Sequence, residues 1–286
     1  MEGVCPTTKI RMMDVRDIPS AVRLTGSEGW GFTAQDFRRL LQLDPQGCFI
    51  ASDRHRRVGL ITTTSYDSFA WIGNVIVAES ARGRGVATEL IGHAISHIES
   101  CGIKRVGLYS YLETRSLYKK FSFVERMRFL RYVGTTGARD KKEARSLARD
   151  RLSEIVRFDR DRFGANRKNL LELLYREFPH LCFVLEDRGR IEGYVMAKGA
   201  QFGYEVGPWV CDHSVIGLVG TLLNAELKRM EKGRVEVTVP KRNRRANHAL
   251  VRSGFSPVGE VAQMFRRGFP KCRDDTIFAI GALEKG

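Results

Sequence analysis

Residues 75–88 read V-I-V-A-E-S-A-R-G-R-G-V-A-T, an apolar run that turns through two glycines and two arginines into an amphipathic segment. Glycines in such a turn let successive backbone N–H groups point into one space, because a Cβ would obstruct either the turn or a ligand. A helix opening at Val86 adds the positive end of its dipole, so turn and helix together can cradle a pyrophosphate. The spacing is neither G-x-x-x-x-G-K-[ST] nor G-x-G-x-x-G, so it is not a P-loop or a Rossmann fingerprint. The plain alternative is a tight strand–helix turn that holds no ligand.

The elements around this turn follow from periodicity. Residues 9–15, 47–52, 57–65 and 69–77 alternate or run apolar as strands do, and residues 86–101 carry apolar side chains at helical spacing up to Gly102. Asp17 with Pro19 predicts a helix start, and Thr33 caps a second helix that puts Phe37, Leu40, Leu41 and Leu43 on one face. Residues 104–111 form the next strand, 113–121 a short helix and 123–133 a closing strand. The strands over 47–77 are joined by hairpins and so are antiparallel; the strand at 104–111 is reached through a helix and so is parallel to its predecessor.

Length and composition set the frame. The chain has 286 residues, 43% hydrophobic and 28% charged, which describes a globular protein of one or two domains. No apolar run approaches the roughly 20 residues that span a membrane, and the first residues, M-E-G-V-C-P-T-T-K-I-R-M-M, lack the apolar core of a signal peptide. Six scattered cysteines without C-x-x-C or metal-ligand spacing imply reduced thiols, a cytoplasmic setting and no metal site. The net charge of +15 is spread over both halves. It suits a solvated basic surface with a site for a phosphate-bearing cofactor. Polyanion binding is the other reading, but no zinc finger, ribonucleoprotein motif or basic zipper accompanies it, so neither nucleic acid nor membrane is expected as a partner.

Arg82-Gly83-Arg84-Gly85-Val86-Ala87 resembles the Arg/Gln-x-x-Gly-x-Gly/Ala signature of the GNAT superfamily of acetyl-CoA-dependent N-acetyltransferases. S-L-Y-K-K-F-S-F, residues 116–123, is similar to the helix A-L-Y-E-K-x-G-F of that family, with Tyr118 on its tyrosine and Ser122 where a glycine is usual. The order strand, two helices, three strands, helix, strand, helix, strand is also the GNAT order. The resemblance implies a mixed sheet with a parallel strand pair splayed around acetyl-CoA.

The second half repeats the first in outline. A polar stretch at 134–142, G-T-T-G-A-R-D-K-K, separates residues 1–133 from residues 143–286. A short strand and a helix are expected within 145–158 and helices over 166–178, 214–231 and 243–253, with strands at 180–186, 191–198, 202–211, 234–240, 255–267 and 276–282. G-Y-E-V-G-P-W-V stands in the place of W-I-G-N-V-I-V, and N-R-R-A-N-H-A-L-V-R-S-G-F, 243–255, matches the same family helix. Residues 211–217, C-D-H-S-V-I-G, lack the glycine pair and the arginine, and Leu250 stands where Tyr118 does. The whole resembles the YitH-type tandem acetyltransferases. The resemblance therefore implies an α/β fold with two tandem GNAT-like domains, each a mixed, mostly antiparallel sheet flanked by helices, in which the N-terminal domain is expected to bind the cofactor and the C-terminal one to be degenerate.

The resemblance implies a division of labour. Backbone N–H groups over 84–88, helped by Arg82 and Arg84, bind the pyrophosphate, so Gly83, Gly85, Val86, Ala87 and Thr88 belong to the cofactor site with Ile76 and Val77, whose strand edge pairs with pantetheine. The Val77 N–H stabilises the oxyanion, a task worth about 3 kcal/mol. Tyr118 protonates the departing thiolate, its unperturbed pKa of roughly 10 lying near that of a thiol. The family often uses a glutamate on the strand before the loop as base; residues 69–77 have no carboxylate, which leaves Glu113 and Asp67 as candidates. Trp30, Tyr66, Tyr204 and Glu205 are expected to bound the acceptor, with Asp159, Arg160 and Arg167 as further polar groups near it. The reaction expected is acetyl transfer from CoA to a primary amine, by direct attack in a ternary complex. The acceptor is a small molecule; a protein N-terminus or lysine is an alternative, and a non-catalytic basic tandem domain that binds nucleic acid is another.

Overall fold

The computed structural model describes residues 8–135, 145–212, 225, 227, 230, 231 and 233–286. The first half runs β1 (Thr8–Met12), α1 (Ile18–Ser27), α2 (Ala34–Leu43), β2 (Cys48–Asp53), β3 (Arg56–Ser65), β4 (Ala70–Val77), α3 (Val86–Ser100), β5 (Val106–Tyr111), α4 (Arg115–Lys119) and β6 (Val124–Thr135). The second runs β7 (Arg145–Ser146), α5 (Leu152–Phe163), α6 (Lys168–Glu177), β8 (Cys182–Asp187), β9 (Arg190–Ala200), β10 (Gly203–Cys211), β11 (Arg234–Pro240), α7 (Arg244–Arg252), β12 (Ser256–Arg266) and β13 (Ile277–Ala279). The mixed α/β class and the repeated order are as the sequence implies. Most of the expected linker and most of the expected helix over 214–231 lie outside the described residues; Gly134 and Thr135 belong to β6.

Local chemistry sets the elements. Thr33 accepts from the Asp36 N–H at 3.2 Å while the Asp36 carboxylate accepts from the Thr33 N–H at 2.9 Å, a reciprocal cap that starts α2. Asp17 sits before α1 but makes no side-chain cap bond to it; its carboxylate holds Arg11 at 2.6 Å and Arg57 at 3.0 Å, which keeps its pKa down at about 2. Ser122 takes φ of +62°, so the serine occupies a left-handed position that the family's glycine adopts without strain.

The two sheets are one. The strand order is β1-β2-β3-β4-β5-β12-β6-β11-β10-β9-β8-β7, with β13 paired to β10. Each half lends its sixth strand to the other: β12 lies between β5 and β6, and β6 lies between β12 and β11. Side chains follow the backbone. Ala262 and Met264 of β12 enter the core formed by α3, Ile72 and Leu108, whereas Leu130 and Tyr132 of β6 pack with Val235 and Val237 of β11. The order is therefore symmetric about the β12–β6 pair.

Polar groups inside the second half are paired. Arg167 and Asp159 are almost fully buried and meet at 2.6 Å; the Tyr194 hydroxyl donates to Asp159 at 2.6 Å, and Arg167 stacks on Phe163 and donates to the Gly286 oxygen. These residues are structural here, not part of an acceptor pocket. Asp159→Ala would leave a buried guanidinium without its counter-charge and is expected to cost about 3–5 kcal/mol. In urea this would appear as a lower midpoint with an unchanged slope.

Candidate functional site

Strands β4 and β5 pair in parallel only over Ala70–Ile72 and Val106–Leu108. Beyond Ile72 they diverge: Gly73 still pairs with Thr62 of β3, but Asn74 and Val75 then stand opposite the single residue Ile61 in a bulge, and Asn74 takes φ of +50°. Its side chain donates to Thr62 Oγ1 at 3.2 Å, which fixes the distortion. The resulting gap opens into a cavity of about 910 Å³. Ala78 N–H donates to Val58 O on the β3 side. Alternation along the strand therefore turns the Val77 N–H to the opposite edge, into the gap.

The turn at the head of α3 has the conformation that its glycines allow. Gly83 and Gly85 have φ of +76° and +83°, and a Cβ on either would meet open space. It is the backbone angle that requires glycine, and the open space is where a phosphate would sit. Gly85 caps α3, whose Val86, Leu90, Ile91, Ala94, Ile95 and Ile98 are buried against the sheet and hold the helix N-terminus in place. The arginines are engaged with the protein. Arg82 donates to Val77 O at 3.1 Å and pairs with Glu28, and Arg84 pairs with Asp53 at 2.8 Å. Arg82 thus ties the end of α1 to the end of β4 at the mouth of the gap.

Tyr118 lines the cavity from α4 and is 7% exposed. Its ring packs edge-on to Phe123, and its hydroxyl makes no hydrogen bond among the described residues. Burial raises its pKa above the ordinary tyrosine value, so it holds its proton at any working pH. Glu113 lines the same cavity but is exposed.

The other wall of the cavity is built from both halves. Trp30, with Gly31 and Phe32, comes from the loop between α1 and α2; Phe202, Tyr204 and Glu205 come from the hairpin of β9 and β10. Tyr204 accepts from the Glu231 N–H at 2.9 Å. Two expected residues lie elsewhere. Tyr66 is buried under Phe69 and Phe163 and donates to Lys285 O at 2.6 Å, which makes it a packing residue. Asp67 pairs with Arg160 at 2.9 Å and accepts from the Asn166 N–H, outside the cavity, so it has no route to a proton there. His93 and His97 pack against Phe49 on the far side of α3. Asp36, Asn74, Arg131, Lys198 and Glu284 line the cavity and were not picked out from the sequence. Of these, only Asn74 carried a signal, a Gly-Asn pair inside a strand.

The second half holds the matching gap, and it is filled. Strands β10 and β11 pair in parallel over Gly203–Val206 and Arg234–Val237, then part at Gly207-Pro208. There β13 lies against β10, Trp209 opposite Ala279, and Ile280 N–H donates to Thr238 O on β11. Leu250, in the place of Tyr118, is fully buried in apolar packing.

Comparison with known proteins agrees with this arrangement. Residues 16–123 match the acetyltransferase (GNAT) family model, and residues 155–279 match a second acetyltransferase (GNAT) domain model. The chain is 25% identical over 264 residues to holothin acyltransferase from Pseudoalteromonas sp. (strain SANK 73390), which covers 91% of this chain and 88% of that protein. It is 30% identical over 103 residues to the N-alpha-acetyltransferase MAK3 of Arabidopsis thaliana, covering 34% of this chain and 54% of that one. A solved structure from Pyrococcus horikoshii shares the fold over 98% of this chain and 96% of its own, with a TM-score of 0.83 at 22% identity. With a GNAT domain in each half, a glycine turn at the head of α3 and an open gap beside it, the chain belongs to the GNAT superfamily, as a tandem acyltransferase that uses acyl-CoA.

Proposed function

We propose that the chain is an acetyl-CoA-dependent N-acetyltransferase with one working site, in the first half, and that its acceptor is a small primary amine. The observation that carries this reading is the contrast between two gaps. The gap beside β4 is open and presents the Val77 N–H and the Tyr118 hydroxyl. Its counterpart beside β10 is closed by β13 and backed by Leu250.

Acyl-CoA, when bound, supplies a thioester carbon for an amine to attack. The N–H groups of residues 84–88 and the α3 dipole hold the pyrophosphate, and the edge at Ile76 and Val77 takes the extended arm. The Val77 N–H stabilises negative charge on the thioester oxygen. Tyr118, kept protonated by burial, supplies the proton that the thiolate needs. Among the described residues no cysteine lines the cavity, and the Ser110 hydroxyl is held by Tyr111 O at 2.7 Å. This favours direct attack in a ternary complex over an acyl-enzyme. The likeness to an N-alpha-acetyltransferase over 103 residues supports a second reading, transfer to a peptide N-terminus.

The reading is tested by heat and ligand. Acetyl-CoA at millimolar concentration is expected to raise the melting temperature of the native protein. Gly85→Glu places a side chain at φ of +83° and a negative charge at the phosphate position, so it is expected to abolish that rise. A native protein that acetyl-CoA leaves unshifted would refute the reading. Thiol release measured with amines and with peptides then separates the two acceptor classes.

A further inference from the structure

The segment after β13 does two things with one stretch of chain. β13 closes the gap of the second half, and the residues that follow cross to the first half and lie against β4. Trp71 donates to Leu283 O at 2.9 Å and Tyr66 to Lys285 O, and the backbone of Glu284 sits where a Cβ on Gly73 would be, 2.5 Å from it. Gly281 and Gly286 close the segment on itself through a hydrogen bond of 2.9 Å. Glu284 is thereby fixed beside the point where β4 leaves β5, on the wall of the cavity.

Glu284 belongs to a charge network, buried at Asp36, Arg39, Lys198, Glu284 and Lys285 and partly exposed at Glu177 and Glu205, that does not balance. Lys285 pairs with Glu284; Lys198 pairs with Glu205 at 3.0 Å and with Asp36 at 3.1 Å; Arg39 pairs with Asp36 and with Glu177. Among the described residues these are four carboxylates against three cations. Burial works to raise the pKa of Glu284, but Lys285 and Lys198 outweigh it and hold the carboxylate ionised. At Glu205 burial prevails over Lys198, with the Glu284 charge adding to it, and the pKa is pushed up. An excess of one buried negative charge is costly, and Glu205 and Glu284, which line the open cavity, are where a further cation can offset it.

We propose that Glu284, with Glu205, receives the ammonium group of the acceptor, and that the acceptor is a primary amine with an apolar body and no carboxylate beside its nitrogen. This rests on the acyl-transfer reading above. One ammonium cation completes the network. Trp30, Phe32 and the exposed Phe202 at the cavity mouth suit the apolar body. The cations of the cavity that could hold a carboxylate are already paired: Arg131 and Arg234 with Glu236 at 3.6 and 2.9 Å, Arg82 with Glu28, and Lys198 with Glu205 and Asp36. Before attack the ammonium gives one proton to the carboxylate pair. As the N–C bond forms and the C–S bond breaks, the sulfur takes the Tyr118 proton, and the second proton leaves the nitrogen and returns through solvent in the cavity to the tyrosinate, so that the net product is the amide, the thiol and the one proton left on the carboxylate pair.

The test compares 2-phenylethylamine with phenylalanine, which differ only by the carboxylate. Binding is read by calorimetry against the protein saturated with CoA, where no transfer takes place, and KM by thiol release from acetyl-CoA. The native protein is expected to prefer 2-phenylethylamine by 100-fold or more. Glu284→Gln is expected to weaken its binding and raise its KM at least tenfold, with the CoA-induced thermal shift unchanged. A native CoA shift together with unaltered amine binding in Glu284→Gln, or equal binding of phenylalanine, would overturn the assignment alone. Absence of the native CoA shift would remove the acyl-transfer site, and this assignment with it.

Discussion

Tyr118→Phe is expected to lower kcat by about 10²–10³-fold while the KM for acetyl-CoA moves by less than about threefold. A positioned general acid contributes roughly 10²–10⁴, and water entering the open cavity can replace part of it, which places the loss toward the lower end. The substitution removes one oxygen that has no hydrogen-bond partner among the described residues, so no buried group is orphaned. The ring contacts with Phe123 remain, and the melting temperature should hold within a degree or two. The pH profile gives a second check. Because burial raises the Tyr118 pKa above its ordinary value, the acid stays loaded, and the native rate should show no fall due to this group below pH of about 10. A Tyr118→Phe variant with kcat within threefold of native would show that the proton comes from elsewhere.

The site was legible wherever chemistry is local in sequence. A glycine turn needs φ values that only glycine reaches easily, so R-G-R-G announces itself, and Tyr118 stands at a family spacing from it. The strand periods were readable for the same reason, since side-chain alternation is set within each element. Partnerships across the chain were not. Nothing in the alternation of residues 256–266 says that β12 will pair with β5 of the other half, because an edge of N–H and C=O groups looks the same to either partner. Asp67 and Tyr66 were placed near the acceptor by their closeness to β4 in sequence. They were claimed instead by Arg160, Asn166 and Lys285 from far along the chain. Glu284 is the converse case: a carboxylate with no motif around it, brought to the cavity by the path of a single segment.

Strand exchange makes a strong prediction about the halves. Residues 1–135 and residues 136–286, produced as separate polypeptides, are each expected to lack a cooperative melting transition, and to recover one when co-expressed. Alone, the first fragment would expose the edge of β5 that β12 covers from Val106 to Tyr111, and would leave β6 with no neighbour on either side. Its core would also lose Ala262 and Met264 against Leu108 and α3. The second fragment would lose β6 from β11 and leave Val235 and Val237 without Leu130 and Tyr132. Each deficit is larger than a single core truncation, which costs about 2–5 kcal/mol, and domains hold a margin of only about 5–15 kcal/mol. Co-purification and one shared transition in circular dichroism would confirm the exchange; a first fragment that melts cooperatively by itself would contradict it. Activity should follow the same rule even if that fragment were folded. The turn, Val77 and Tyr118 lie in the first half, but Lys198, Phe202, Glu205 and Glu284 come from the second. The second half, whose own gap is closed by β13, thus completes both the sheet and one wall of the cavity of the first.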